Sequence, residues 1–262
     1  MSTPLSTPLI GTAGWSISSA AASHFPSEGS HLQRYAQVLP CVEINSSFYR
    51  PHQPATYARW AASVPDTFRF SVKLPRSITH ERRLRDCAAE LDRFAGEVMQ
   101  LGNKLGCVLV QLPPSLRFEA DVAAEFFNTL RQRFDGMLAC EARHPSWFAA
   151  GATDLLTMQG ITRVRADPPA GQPGPHVPTT AVAYFRLHGS PKIYYSDYPA
   201  DYLTALAADL HASAHPDSWC IFDNTAAGAA LFNALDVQAR LMDLRSRNGT
   251  SMAGASGSLP GR

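Results

Sequence analysis

The chain has 262 residues and a net charge of +1, which argues against a generally basic nucleic-acid binder and against an acidic solvating protein. Its length matches one α/β barrel of roughly 250 residues, and a hydrophobic content of 45% is ample for the core of a single domain. The cysteines at 41, 87, 107, 140 and 220 are odd in number and form no CxxC, and four of them fall in predicted strands. They are therefore expected as buried reduced thiols rather than as disulfides or a zinc knot.

In chain order, residues 1 to 8 are expected to be a disordered N-terminus. They lack the basic start and apolar run of a signal peptide, and no stretch of the chain approaches ~20 apolar residues, so a cytoplasmic protein with no membrane partner is expected. LIGTAGW (9 to 15) then opens a series of short apolar strands. It continues with CVEIN (41 to 45), FRFSVK (68 to 73), GCVLVQ (106 to 111), MLACEAR (137 to 143), ITRVRAD (161 to 167), VAYFRLH (182 to 188) and WCIFDN (219 to 224). Helical periodicity falls between them, at 31 to 39, 54 to 63, 86 to 101, 120 to 134, 152 to 159, 199 to 213 and 226 to 245. In the fourth helix Val122, Phe126 or Phe127, and Leu130 share a stripe, with Asp121, Glu125 and Arg131 turned away.

One connection breaks the alternation. PPAGQPGPHVPTT (168 to 180) carries five prolines and two glycines, so it is expected as an irregular loop in place of the helix between strands 6 and 7, and as a lid or contact segment. The polar stretch 247 to 262 has little to bury and is expected as a disordered tail, which leaves 9 to 246 as one domain. The predicted fold is an α/β, TIM-like (β/α)8 barrel.

Apart from the first, each strand runs into a charged or amide side chain at its C-terminal end, which a parallel barrel explains by gathering those ends on its active-site face. Side chains alternate along a strand, so Glu43 shares a face with Asn45, Ser71 with Lys73, Glu141 with Arg143, Arg165 with Asp167, and Arg186 with His188.

The chain resembles the YecE-like family, domain of unknown function 72. The matching segments are GTAGWS (11 to 16), EINSSFY (43 to 49), FRFSVKLPRSITHERRL (68 to 84), LVQLPPS (109 to 115), CEARHPSWF (140 to 148), RLHGSPKIYYSDY (186 to 198) and FDNTAAGAALFNAL (222 to 235). They span residues 9 to 240 in order. The first loop, SISSAAASHFP, departs from relatives that carry a tryptophan and glycine there. The resemblance implies a TIM-like barrel and no established biochemical activity.

From the residues themselves, Glu43, Glu141 and His188 are the candidate catalytic groups. A carboxylate among cations stays ionised, one among apolar neighbours can act as an acid, and imidazole titrates near neutrality. Arg143, Arg186 and Lys73 are candidate anion ligands. Asn45, Gln111 and Asn224 are candidates for orienting hydroxyls or a phosphate, and His144, Asp167 and Tyr195 complete the candidate substrate-binding set. Each has a plain structural alternative: an ion network for the charges, a capped or packed role for the histidines, a core role for the aromatics.

The expected function is an enzyme acting by acid/base chemistry on an anionic, hydroxylated or ring-containing small molecule. No cofactor is expected. A divalent metal held by Glu43, Glu141, Asp167, His144 and His188, as in barrel sugar isomerases and endonucleases, is the competing reading, and a non-catalytic binding protein is a third. His80 and the arginines of residues 76 to 85 leave a nucleic-acid partner open through a basic rim.

Overall fold

The computed structural model describes residues 8 to 212 and 217 to 253. Nine strands form one parallel sheet. They are β1 (Leu9–Ala13), β2 (Cys41–Ile44), β3 (Arg69–Lys73), β4 (Leu105–Gln111), β5 (Met137–Glu141), β6 (Ile161–Arg163), β7 (Arg165–Asp167), β8 (Tyr184–Leu187) and β9 (Trp219–Phe222). Their order is β6-β5-β4-β3-β2-β1-β9-β8-β7. The two ends of this sheet are consecutive in sequence, separated only by Val164, whose N–H donates to Cys140 O at 2.9 Å. β6 pairs with β5 and β7 with β8, so the sheet curls into a nearly closed barrel in which 161 to 167 is one strand serving two neighbours in turn.

Helices α1 (His31–Ala36), α2 (Pro54–Ala62), α3 (Ala88–Val98), α4 (Ala120–Arg131), α5 (Ala150–Met158), α6 (Ala200–Ala212) and α7 (Ala229–Ala253) alternate with the strands. α1 starts where Ser30 and Gln33 cap one another's backbone N–H groups. α4 buries Ala123, Phe126, Phe127 and Leu130 against the sheet and exposes Asp121 and Glu125, as its stripe predicts. Truncating such a packed leucine to alanine costs about 2 to 5 kcal/mol. No helix occupies the connection from β7 to β8. There Thr179 Oγ accepts from Arg163 N and donates to Ile161 O, satisfying the edge of β6 that lacks a strand neighbour.

α7 runs to Ala253, past residue 246 where the sequence reading ends the domain. Residues 1 to 7 and 254 to 262, which hold most of the two expected disordered ends, lie outside the described residues. Among the described residues no helix is long and apolar enough to cross a membrane.

Two apolar layers hold the barrel. The outer one lies between sheet and helices. The inner one is built from Cys41, Cys107, Leu109, Ala139, Val164, Tyr184, Trp219 and Ile221. The Trp219 ring fills the lower barrel so completely that a Cβ on Gly106 would stand 2.6 Å from it. All five cysteines are buried and free, as expected. Because β-strand side chains alternate, this inner layer sets the phase of each strand and therefore which charges point inward above it.

Candidate functional site

Two residues up from the inner apolar layer, the same strand faces become charged: Cys41 leads to Glu43, Ala139 to Glu141, Tyr184 to Arg186 and Ile221 to Asp223. Arg186 is fully buried at the centre. Its Nε lies 2.9 Å from Glu43 Oε2 and its Nη2 2.6 Å from Glu43 Oε1, while Nη1 reaches Glu141 Oε2 at 2.7 Å and Nη2 also reaches Asp223 Oδ2 at 3.0 Å. Tyr184 Oη, 3.0 Å from Glu43 Oε2 and 2.8 Å from Ser71 Oγ, completes the floor.

His188 bridges two of these carboxylates, with Nδ1 3.1 Å from Asp223 Oδ2 and Nε2 3.2 Å from Glu141 Oε1. Burial opposes a charged ring, but Glu141 and Asp223 outweigh it, so the imidazole pKa lies above the ordinary histidine value. Burial likewise pushes the Glu141 carboxyl up. Arg186, His188 and Arg143 more than reverse that and hold it well below the usual carboxylate range. Asp223 is lowered too, burial being overcome by Arg186 and His188. Arg143 caps the group, its Nε and Nη2 at 2.8 and 2.7 Å from Glu141 Oε1.

Lys73 stands apart. It is 5% exposed, yet its Nζ makes no hydrogen bond or ion pair among the described residues; it lies 4.1 Å from the centre of the Phe48 ring. Burial, and then the charge of Arg186, lower its pKa to about 8 against the pull of Glu43, Glu141 and Asp223. The His80 ring packs edge-on to the same Phe48 at 5.0 Å, and its Nδ1 is 2.9 Å from Thr79 Oγ. Burial, Lys73, Arg76 and Arg143 lower the His80 pKa to about 4, so its ring is neutral at pH 7.

The structure thus gathers Glu43, Lys73, Glu141, Arg143, Arg186 and His188, with Gln111 buried on the intervening strand β4 and Asn45 just past β2. The Asn45 Oδ1 is buried without a hydrogen-bond partner. Four candidates lie elsewhere. Asp167 faces outward beneath α6, accepting from Tyr198 Oη at 2.9 Å, and Arg165 beside it pairs with Asp209. With Val164 in the inner layer, alternation turns both of its polar neighbours out. His144 caps the turn Pro145–Phe148, its Nδ1 accepting from Ser146 N at 3.2 Å. Asn224 is wholly buried and donates to Ser196 O and Asn233 Oδ1, tying the two last loops together. Tyr195 is half-exposed under Lys192, whereas its neighbour Tyr194 turns edge-on to His188 at 5.9 Å.

A metal set drawn from Glu43, Glu141, Asp167, His144 and His188 is therefore not assembled, and among the described residues no group of three or more His, Cys, Asp or Glu side chains is arranged to hold an ion. The basic rim is largely self-neutralised. Arg76 pairs with Glu81, Arg82 with Glu90 and Arg85 with Glu119, while Arg83 bonds the Ser115 carbonyl.

Sequence reasoning missed Asp223 and Tyr184. The signal for Asp223 was alternation from Ile221, but Cys220 and Phe222 form an equally apolar opposite face, so the pattern pointed as readily to Asn224. The Pro/Gly-rich loop does make contact: Gly171, at φ +69°, packs so closely that a Cβ would sit 2.3 Å from Arg143 O. Where the loops after β1 and β9 meet, a cavity of about 480 Å³ opens between Ala13, the register neighbour of Glu43, and Ala226.

Residues 9–254 match the family model described as "Protein of unknown function DUF72". Among curated sequences, the chain is 31% identical over 142 residues to UPF0759 protein YecE of Escherichia coli K12, which covers 52% of each chain. It is 29% identical over 146 residues to UPF0759 protein YunF of Bacillus subtilis, covering 53% of this chain and 52% of that one. The chain thus spans about half the length of the curated relatives it matches. A crystal structure of a DUF72 family protein from Thermotoga maritima superposes with a TM-score of 0.76 at 27% identity, covering 90% of this chain and 99% of the other. One from Enterococcus faecalis gives 0.76 at 21%, covering 90% and 96%, and supports the fold alone. A nearly closed parallel barrel matched by these structures, together with a family model spanning almost all of it, places the chain in the DUF72 family.

Proposed function

We propose that the C-terminal mouth of the barrel is the ligand site of an enzyme that handles a small anionic, hydroxylated or ring-containing molecule. The observation that carries this is a charge count. Glu43, Glu141 and Asp223 supply three negative charges, and Arg143, Arg186 and the His188 imidazolium supply three positive ones in direct contact with them. Lys73, within the same field but bonded to none of them, is the unmatched cation. An anionic ligand beside Lys73 and Arg143 would close the balance.

In this reading Glu43 is a fixed partner of Arg186 rather than a proton carrier, because its oxygens are held by the fully buried Arg186 and Tyr184, whereas Glu141 Oε1 is shared with the partly exposed Arg143. Glu141 and His188 are the acid/base pair. A ligand anion that draws Arg143 away would leave Glu141 Oε1 to the imidazolium, which then has a proton to give.

The test is thermal unfolding in phosphate, sulfate and small carboxylates at constant ionic strength. Binding to the folded state adds RT ln(1 + [L]/Kd), so millimolar anion is expected to raise Tm in the wild type and much less in Lys73→Met. A Tm indifferent to every anion overturns the proposal.

A further inference from the structure

The chain has lysines at 73, 104 and 192, and the other two show how an ammonium is normally accommodated. Lys104 is also buried, but its Nζ donates to Ala61 O and Val64 O, each at 2.8 Å, and pairs with Asp66 at 3.2 Å. Lys192 lies over the exposed Tyr195 ring. Among the described residues Lys73 has no protein acceptor for any of its three possible donors, at a place where three carboxylates lie close by and are all engaged with Arg186. An ammonium left so is costly, and a neutral amine is not. Among the described residues two further polar groups on the flanking elements are also without protein partners: the buried Asn45 Oδ1 after β2, and the Gln111 carboxamide, 6% exposed on β4.

We propose that Lys73 is a nucleophile that forms an imine with an anionic aldehyde or keto acid, held so that its carbonyl carbon meets Nζ and its carboxylate or phosphate meets Arg143. This rests on the anion site proposed above and names its substrate class. The neutral amine attacks the carbonyl carbon, forming the C–N bond and sending the carbonyl π pair to oxygen. The proton released from nitrogen passes to that oxygen, giving a neutral carbinolamine. Protonation of the hydroxyl breaks the C–O bond with loss of one water, and the nitrogen lone pair closes the C=N bond as an iminium.

In this proposal the His80 ring, neutral and packed on the same Phe48 as Lys73, carries the proton between nitrogen and oxygen through Nε2, its Nδ1 being bonded to Thr79. The Gln111 amide can donate to a ligand carbonyl, and Asn45 Oδ1 can accept from a ligand hydroxyl. The groups that set the charge state of Lys73 are Arg186 from β8, Glu43 from β2, Glu141 from β5 and Asp223 from the end of β9. Their balance, together with burial, keeps the amine neutral in about half the molecules near pH 8. An ordinary lysine, with a reference pKa of ~10.4, is neutral in under about one in a hundred at that pH.

The experiment treats the full-length protein at pH 8 with glyoxylate or pyruvate, then with cyanoborohydride, and locates the reduced adduct by peptide mass mapping. The expected result is a lysine adduct at Lys73 at least roughly tenfold above any at Lys104 or Lys192, suppressed by added phosphate and absent from Lys73→Met and Lys73→Arg, whereas the α-amino terminus, with a reference pKa of about 8, labels irrespective of phosphate or of either substitution. Phosphate protection is read on the wild type and so does not depend on a variant folding. If glyoxylate or pyruvate raises Tm but no Lys73 adduct forms, the imine is overturned and the anion site stands. Labelling spread evenly over the three lysines also overturns it. If neither compound binds or labels, and phosphate and sulfate leave Tm unchanged, both readings fail.

Discussion

Arg186 on β8 meets Glu43 on β2 across the barrel in a side-on, two-bond pair, Nε to Oε2 and Nη2 to Oε1, with neither residue exposed to solvent. The same guanidinium bonds Glu141 and Asp223. Arg186 therefore ties a whole layer of the barrel together rather than serving one partner, and its planar fork is what allows three carboxylates to share it.

Arg186→Met is expected to lose about 3 to 5 kcal/mol of unfolding free energy, since it strands buried carboxylates. Arg186→Lys should recover little, because an ammonium cannot reproduce the two-bond geometry. Lys73→Met, which breaks no hydrogen bond or ion pair among the described residues and removes a buried ammonium, should not destabilise the protein at pH 7 and should stabilise it by up to about 3 kcal/mol. Urea melts of the three variants distinguish these outcomes. A loss below about 1.5 kcal/mol for Arg186→Met would mean that its layer is solvated and contributes little to the fold.

Lys73 also imposes a pH dependence. Its folded pKa, about 8, lies below its ordinary value, so between about pH 8 and ~10.4 the unfolded chain binds a proton that the folded one does not. Stability contributed by this group rises with pH across that window. Wild type should gain on Lys73→Met by up to roughly 3 kcal/mol between pH 8 and 10.5, a comparison in which the buried tyrosines cancel. Parallel stability curves for the two proteins would show that the amine is not destabilised by burial.

His188 has the opposite sign. Its pKa is raised by Glu141 and Asp223 against burial, so its stabilising contribution is fully present below about pH 6.5 and fades as pH rises through the folded value. His188→Gln should cost most near pH 6 and progressively less in alkaline solution. Proton NMR of the ring should show a midpoint above the ordinary histidine value. A midpoint at or below ~6.5 would contradict the two-carboxylate bridge.

Gly171 tests whether the Pro/Gly-rich connection supports the site. With φ at +69° and the Arg143 carbonyl 2.3 Å from where a Cβ would stand, alanine there combines a strained backbone with a clash. A destabilisation above about 1 kcal/mol is expected. Because the clash is with the residue that caps Glu141, the anion-induced rise in Tm should fall as well. An unchanged melt would separate the loop from the site.

The strand positions, the parallel barrel and the missing helix after residue 167 were legible in the chain, though not the division of 161 to 167 into β6 and β7, because they follow from local signals: apolar runs of strand length, helical periods between them, and prolines that forbid a helix. It also determined that Glu43, Lys73, Glu141, Arg143, Arg186 and His188 gather at one end, since β-strand alternation carries that information along each strand. Phase and partnership depend on the packed barrel. Residues 161 to 167 place polar residues on both faces, and only the seating of Val164 in the inner layer turned Asp167 outward. On β9 both faces are apolar, and only the seating of Ile221 chose Asp223 over Asn224. Nor does a sequence state that three carboxylates share Arg186 while Lys73 is left without a partner. That depends on distances between strands far apart in the chain, and in a low-dielectric interior those distances fix which charges are compensated and which one remains reactive.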